Sequence, residues 1–296
     1  MPKLLVIGSM NIDEIVITDV MPKAGQTVFG NGYKMVSGGK GANQAIAAAR
    51  LGGEVDFIGC VGANSDGDFL LENFGRNNVN HKMVLKKENV LTGKAYITVC
   101  NGENQIIVIG GANEHVTKEI IDINAILSSD MVLVQLEVPF ETIKYVINVC
   151  YENKIPIILN PAPANKLSED LISKVTYLTP NESEAELIFG SNDYKSLVSK
   201  YPNKLIITLG SKGAIFKDEN GIQEVATIPV KVIDTTGAGD TFNGALAVSL
   251  LNRKTLLESV KFATISATIK TTKLGAQEGM PTLEGVKKYI WKDWEY

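Results

Sequence analysis

The sequence predicts a three-layer α/β/α fold, with a mostly parallel central sheet covered on both faces and a small inserted β-sheet lid. Two observations predict it. Short apolar, β-branched runs alternate with helical patterns along most of the 296 residues, which implies βαβ crossovers and a sheet buried on both sides. Two stretches break that rhythm and read as antiparallel ribbons instead. In chain order, residues 3–7 (KLLVI) form an apolar run that stops at Gly8. Residues 14–37 alternate and carry Gly25, Gly30 and Gly32 without a helical period. Residues 41–51 (GANQAIAAARL) are alanine-rich, a composition that favours helix. Residues 55–61 read as a strand. Residues 91–110 read as two strands, 94–100 and 105–109, joined by the turn signal Asn101-Gly102-Glu103-Asn104. Apolar runs at 131–136, 156–159 and 205–209 have strand length, and 141–150 (ETIKYVINVC) has a helical pattern. A strand-like stretch at 228–233 precedes a helical pattern at 241–251. With no repeat, low-complexity segment or Pro/Ser-rich linker, one domain over 1–296 is expected, with the lid drawn from about 14–37 and 91–110. Such a sheet can cover a site or pair with a second copy.

Composition narrows the partners. Twenty-nine basic against thirty-three acidic side chains give −4, and the pI is near 5.4. A nucleic-acid or anionic-membrane binder needs a basic surplus, so neither partner is expected. Hydrophobic residues at 45% and charged ones at 21% are those of an ordinary globular chain. Cys60, Cys100 and Cys150 are widely spaced in apolar surroundings, which reads as three buried thiols in a reducing compartment. The N-terminal apolar run is too short for a signal peptide, and no stretch approaches 18 apolar residues. A cytoplasmic location is expected.

The residues that bear chemistry cluster at strand ends and glycine turns. Asp234-Thr235-Thr236-Gly237-Ala238-Gly239-Asp240 leads into a helix start. A Gly-Ala-Gly turn there aims backbone N–H groups one way, making an anion site by geometry and helix dipole. Two readings stand: Asp240 or Thr241 caps the helix, or the amides hold a moving phosphoryl group while Asp240 orients the attacking hydroxyl. Ser37-Gly38-Gly39-Lys40-Gly41-Ala42-Asn43-Gln44 is no P-loop, since Gly41 stands where Ser or Thr would ligate magnesium. Gly8-Ser9-Met10-Asn11 replaces any GxGxxG after the first strand, which disfavours a dinucleotide site. Asn11 and Asp13, two apart in extended chain, point the same way and suit a polar ligand. Glu137 ends an apolar run and needs a polar partner, and Asn160 ends another. Asn181 and Glu184 have capping-box spacing, with magnesium–water contact as the alternative. Thr208-Leu209-Gly210-Ser211-Lys212-Gly213 is either a phosphate cradle or an ordinary hairpin turn.

Two strings, Gly38-Gly39-Lys40-Gly41-Ala42-Asn43-Gln44-Ala45 and Asp234 to Asp240, lie about 200 residues apart and resemble the two signatures of the PfkB, or ribokinase-like, family of carbohydrate kinases. Gly8 to Asp13, Gln135-Leu136-Glu137, Asn160 to Ala164, Pro180 to Glu186 and Gly275-Ala276-Gln277 are more similar to its ribokinase branch than to fructokinases or adenosine kinases. The resemblance implies transfer of phosphate from ATP to D-ribose O5, with magnesium, and a homodimer joined through the lid. The rivals are a family kinase for another pentose, a hexose or a nucleoside, and a catalytically silent sugar binder. It implies Asp240 as catalytic base and Gly237, Ala238 and Gly239 as an anion hole. Asn11, Asp13, Gly39, Lys40, Gly41, Asn43, Glu137 and Asp240 would meet the sugar. Asn181, Glu184, Thr208, Leu209, Gly210, Ser211, Lys212, Gly213, Gly239 and Thr264 would meet ATP. The resemblance also implies an activating potassium site at Asp234 with carbonyls of Thr236, Lys270, Lys273 and Gly275. There Gly279 replaces a family serine, and Thr264 stands where the adenine-flanking Asn or His is common.

Overall fold

The structure is a computed structural model that describes residues 2–101 and 103–289. Gly102, and with it the centre of the expected 101–104 turn, lies outside the described residues, as does the end of the expected domain beyond 289. Six strands form a parallel sheet: β1 (Lys3–Ile7), β4 (Glu54–Gly62), β5 (Val79–Lys87), β8 (Met131–Val134), β9 (Ile157–Leu159) and β10 (Tyr177–Leu178). Their order is β10-β9-β8-β1-β4-β5. β11 (Ile206–Thr208), β12 (Ala214–Asp218) and β13 (Gly221–Val225) form an antiparallel extension. Bridges Leu178–Leu205 and Asn181–Thr208 join it to the β10 edge.

Period-two alternation sorts side chains to both faces. Leu4 and Val6 join a core with Ala45, Ala48 and Leu246, whereas Leu5 and Ile7 join another with Val134, Val146 and Ile147. Truncating a fully buried Leu or Ile in such a layer costs about 2–5 kcal/mol. The first core is covered by α1 (Lys40–Arg50), with α2 (Ser65–Arg76) beside β5. Then follow α3 (Ile123–Leu127), α4 (Phe140–Asn153), α5 (Glu169–Lys174), α6 (Glu182–Phe189) and α7 (Tyr194–Lys200), which flank the second core. α8 (Ala238–Leu251) and α9 (Leu256–Lys270) return to the first, and α10 (Leu283–Lys287) packs on α9. α8 lies close against α1: a Cβ on Gly244 would sit 2.7 Å from the Gln44 carbonyl oxygen and 2.8 Å from the Ala48 nitrogen. That close approach brings the start of α8 beside the start of α1.

The two rhythm-breaking stretches form one four-stranded sheet, ordered β3-β2-β6-β7 from β2 (Asn11–Thr18), β3 (Gly32–Gly38), β6 (Gly93–Cys100) and β7 (Glu103–Ile109). Each ribbon is antiparallel, as the alternation predicts, and β2 and β6 pair in parallel to join them. The first ribbon starts at Asn11 rather than near 14, so Asn11 and Asp13 ride on it. The expected strand at 228–233 does not form. Pro229 removes a ladder donor there, and Val232 and Ile233 are exposed. Among the described residues no helix is long and apolar enough to cross a membrane.

Candidate active site

α8 starts without a side-chain cap; its N-cap Gly237 holds φ 78°, a left-handed conformation that favours glycine. The Ala238 N–H turns back to the Thr235 carbonyl at 3.1 Å. The N–H groups of Gly239 and Asp240 find no acceptor among the described residues. A Cβ on Gly239 would meet nothing within 4 Å, so the turn opens on free space. That space is a cavity of about 210 Å³ lined by Lys40, Asn181, Glu184, Thr208, Gly237, Gly239 and Asp240, together with Asn160, Ala162, Thr179 and Asn243.

Asp240 stands in the first turn of α8, at the positive end of the helix dipole. It is 7% exposed and caps nothing, so of the two readings of this turn the cap is not realised by its side chain. Asn43 Nδ2 donates to its Oδ2 at 2.8 Å and Gln44 Nε2 to its Oδ1 at 3.1 Å. Amides behind these hold them in turn. Gln277 Nε2 donates to Asn43 Oδ1 at 2.8 Å, and Asn73 Nδ2 to Gln277 Oε1 at 2.7 Å. Gln135 Nε2 donates to Gln44 Oε1 at 2.7 Å, and Gln44 Nε2 also reaches Asn160 Oδ1 at 3.0 Å. A buried amide with both ends satisfied has one orientation, so the carboxylate is fixed before any ligand arrives.

On the other side, Glu137 Oε2 accepts from Ser9 Oγ at 2.6 Å and from the Lys40 N–H at 2.9 Å. These are the polar partners its place after an apolar strand required. Asn11 is buried, and its Oδ1 accepts from Asn113 Nδ2 at 2.7 Å. Glycines make room for both sugar-facing candidates: a Cβ on Gly38 would fall 2.2 Å from Asp13 Oδ2, and one on Gly93 would fall 2.4 Å from Asn11 Oδ1. Gly39 takes φ 88° at the N-cap of α1, where a Cβ would lie 2.8 Å from the Asn11 nitrogen. Gly41 packs on the Gly8 backbone.

Charge ties this side to the cavity. Burial first, then the carboxylates of Glu137 and Asp240, push the Asp13 carboxyl up to about 7. Burial opposes the Lys40 ammonium, but Asp240, Glu137 and Glu184 outweigh it and hold the group above its ordinary range. Among the described residues no carboxylate oxygen lies within 4 Å of that ammonium, which leaves it available to an anion. Asn181 and Glu184 form the capping box of α6, at 2.8 and 2.9 Å, and also line the cavity. Burial pushes the Glu184 carboxyl up.

The expected sites are brought together unevenly. Of the 208–213 stretch, Thr208 lines the cavity, while Gly210, Ser211 and Lys212 are exposed in the turn between β11 and β12 and Leu209 donates to Gly213 O at 2.7 Å. Thr264 is buried inside α9 and does not line the cavity. The expected potassium residues cluster, but the Lys270 side chain fills their centre. Its Nζ donates to the Asp234 carbonyl at 2.8 Å and lies 3.7 Å from Asp234 Oδ2. The residues therefore do not fit a potassium ion alongside that side chain. Gln44, Asn73, Asn113, Gln135 and Gln277 hold the site and were assigned no role from sequence. The available signal was an amide in apolar surroundings, as in residues 41–51 and 131–136.

The pfkB family carbohydrate kinase model matches residues 1–283. Ribokinase of Lactococcus lactis is 43% identical over 290 residues, covering 97% of this chain and 96% of that protein. The crystal structure of Thermotoga maritima ribokinase superposes with a TM-score of 0.90 at 36% identity, covering 98% of this chain and 99% of that one. Arabidopsis thaliana ribokinase, solved with ribose and ATP, gives 0.89 at 30% identity, covering 97% and 98%.

Proposed function

This chain belongs to the pfkB family of carbohydrate kinases, and from that premise we propose that it transfers the γ-phosphoryl group of ATP to O5 of D-ribose. The observation that carries the reading is the cavity in which an open helix mouth, the Asp240 carboxylate and the Lys40 ammonium meet. Phosphoryl transfer through a loose transition state asks for positioning and charge neutralisation rather than a strong base. The free N–H groups of Gly239 and Asp240 face the moving phosphoryl. Removing one preorganised donor of this kind typically costs about 2.7–4 kcal/mol of transition-state stabilisation. A carboxylate is a far weaker base than the alkoxide it would generate. Asp240 therefore orients the sugar hydroxyl and takes its proton late in the transfer.

Asn11, Asp13, Gly39, Gly41 and Asn43 define the sugar side, with Glu137 behind Lys40. Lys40 lines the cavity together with Asn181, Glu184 and Thr208, so its ammonium bridges sugar and phosphates. Magnesium enters with ATP as part of the substrate. Its charge favours the ionised form of Glu184, which burial alone disfavours. The four-stranded sheet acts as a lid that excludes water, limiting hydrolysis of ATP without sugar. Ile106, Ile107, Val108 and Ile109 on that sheet are exposed, as are Tyr33 and Met35. Two copies joined through this face would cover that apolar surface. The free, buried cysteines suit the cytoplasm.

ADP release measured with ribose, 2-deoxyribose, fructose and adenosine tests the reading. Ribose should give the highest kcat/KM. Equal turnover without sugar, or a preference for adenosine, would replace it.

A further inference from the structure

We infer that the Lys270 ammonium stands in for a monovalent cation beside the phosphoryl-binding turn, so that this kinase needs no potassium. The inference rests on the kinase reading above and on the geometry of one small cluster. Lys270 is the last residue of α9 and is fully buried. Its Nζ donates to the Asp234 carbonyl at 2.8 Å and faces Asp234 Oδ2 at 3.7 Å. An ammonium has three donors and no acceptor, so a carbonyl and a carboxylate are the partners it requires.

Other members of the cluster are engaged as well. Asp234 Oδ1 accepts from the Thr236 N–H at 2.9 Å, and Oδ2 from the Gly275 N–H at 2.8 Å. The carboxylate thus clamps the approach to the Gly237 turn onto the loop after α9. The Lys270 carbonyl accepts from the Lys273 N–H at 3.2 Å, so one of its two lone pairs is committed to a turn. Gly279 completes the fit. A Cβ there would lie 3.0 Å from Lys270 Cε, 2.8 Å from the Gly275 carbonyl and 3.2 Å from the Lys273 carbonyl. The lysine stem, and the carbonyls that would have faced an ion, share one space that a side chain at 279 would crowd. The glycine at 279 and the lysine at 270 are therefore one adaptation: the lost side-chain oxygen makes room for a tethered cation. A second cation beside this ammonium would meet a like charge with one carboxylate between them.

Lys270 does not touch the reacting atoms. It is a positioning residue that acts through Asp234 on the turn before α8, as a bound ion would. Its advantage is that the cation is covalently present at any salt composition.

The test uses the full chain in tetramethylammonium chloride, free of potassium and ammonium. Ribose-dependent ADP release should change less than twofold when 100 mM KCl replaces that salt. Lys270→Ala should lose at least tenfold in the potassium-free buffer and recover most of it in KCl. Without sugar, in MgADP, KCl should raise the melting temperature of Lys270→Ala but not of the parent chain. This measurement stands even if ribose proves to be the wrong acceptor, so failure of the kinase reading is told apart from failure here. Lys270→Met keeps the stem and replaces Lys270→Ala should the latter not fold. Tenfold activation of the parent chain by potassium would overturn the inference. So would a folded Lys270 variant that is fully active without potassium, or one that potassium does not restore.

Discussion

The corner at the mouth of α8 and the four-stranded sheet above it are built in opposite ways. In the corner the carboxylate is held by a relay of amides: Asn73 holds Gln277, Gln277 holds Asn43, and Asn43 holds Asp240. In the sheet, β7 is exposed along its whole length and carries the apolar run Ile106 to Ile109. Preorganisation lowers the cost of reaching a charged transition state. An outer strand with no layer packed over it leaves its apolar face open to a partner. Asp13 belongs to both, since it is carried on β2 of the sheet but faces the corner's charges.

The largest effect should come from the corner. Asp240→Asn keeps the shape but removes the acceptor, and kcat should fall about 10²–10⁴-fold while calorimetry still registers ribose binding. Near-normal turnover would erase the contrast between the two regions.

Next comes Asp13, where the regions meet. Asp13→Ala should weaken ribose binding by about 1–3 kcal/mol, because buried sugar hydroxyls lose their acceptor, and leave ATP binding unchanged. The ionised carboxylate is the better acceptor, so ribose affinity of the parent chain should rise between pH 6 and 8, through the value near 7. Asp13→Asn should flatten that rise. The stability of the free protein runs the other way. A carboxyl raised in the folded state contributes stability that is complete below about 4 and is lost as pH climbs through about 7. Asp13→Asn should therefore melt above the parent chain at pH 8, with the gap closing toward pH 4. A parent chain no less stable than the variant at pH 8 would argue that Asp13 is not crowded by burial and by Glu137 and Asp240.

Gln277→Ala sharpens the claim that the corner is held from behind. Asn43 would lose its donor, and kcat should fall about 10-fold with ribose KM changed less. An equal rise in KM would place Gln277 in ribose binding instead. The smallest catalytic effect should come from the sheet. Ile107→Lys puts a charge on its exposed face; the parent chain should sediment as a dimer and the variant as a monomer, with kcat altered a few-fold at most. A monomeric parent chain would remove the dimer from the account.

Much of the fold was legible because its signals are local. Residues 131–136 and 156–159 could bury as strands only between two layers, and β8 and β9 lie there. β12 and β13 carry no such local signal, and 228–233 carries one without forming a strand, because apolar content does not say whether a ladder partner exists. The glycine turn at 237–239 was legible from its composition. The amides behind it were not, since Gln277 reaches Asn43 across 234 positions and nothing in either segment names the other. The potassium expectation followed the backbone positions of the 270–279 loop. That the side chain at 270 reaches Asp234 is a fact of three dimensions, which no local string carries.

Phosphorus NMR of the chain with MgATP and ribose follows the phosphoryl group itself from donor to acceptor. ADP and a sugar phosphomonoester should appear together, and neither should form with 5-deoxyribose, which lacks the attacking hydroxyl. Inorganic phosphate accumulating equally fast with ribose, with 5-deoxyribose and with no sugar would contradict it.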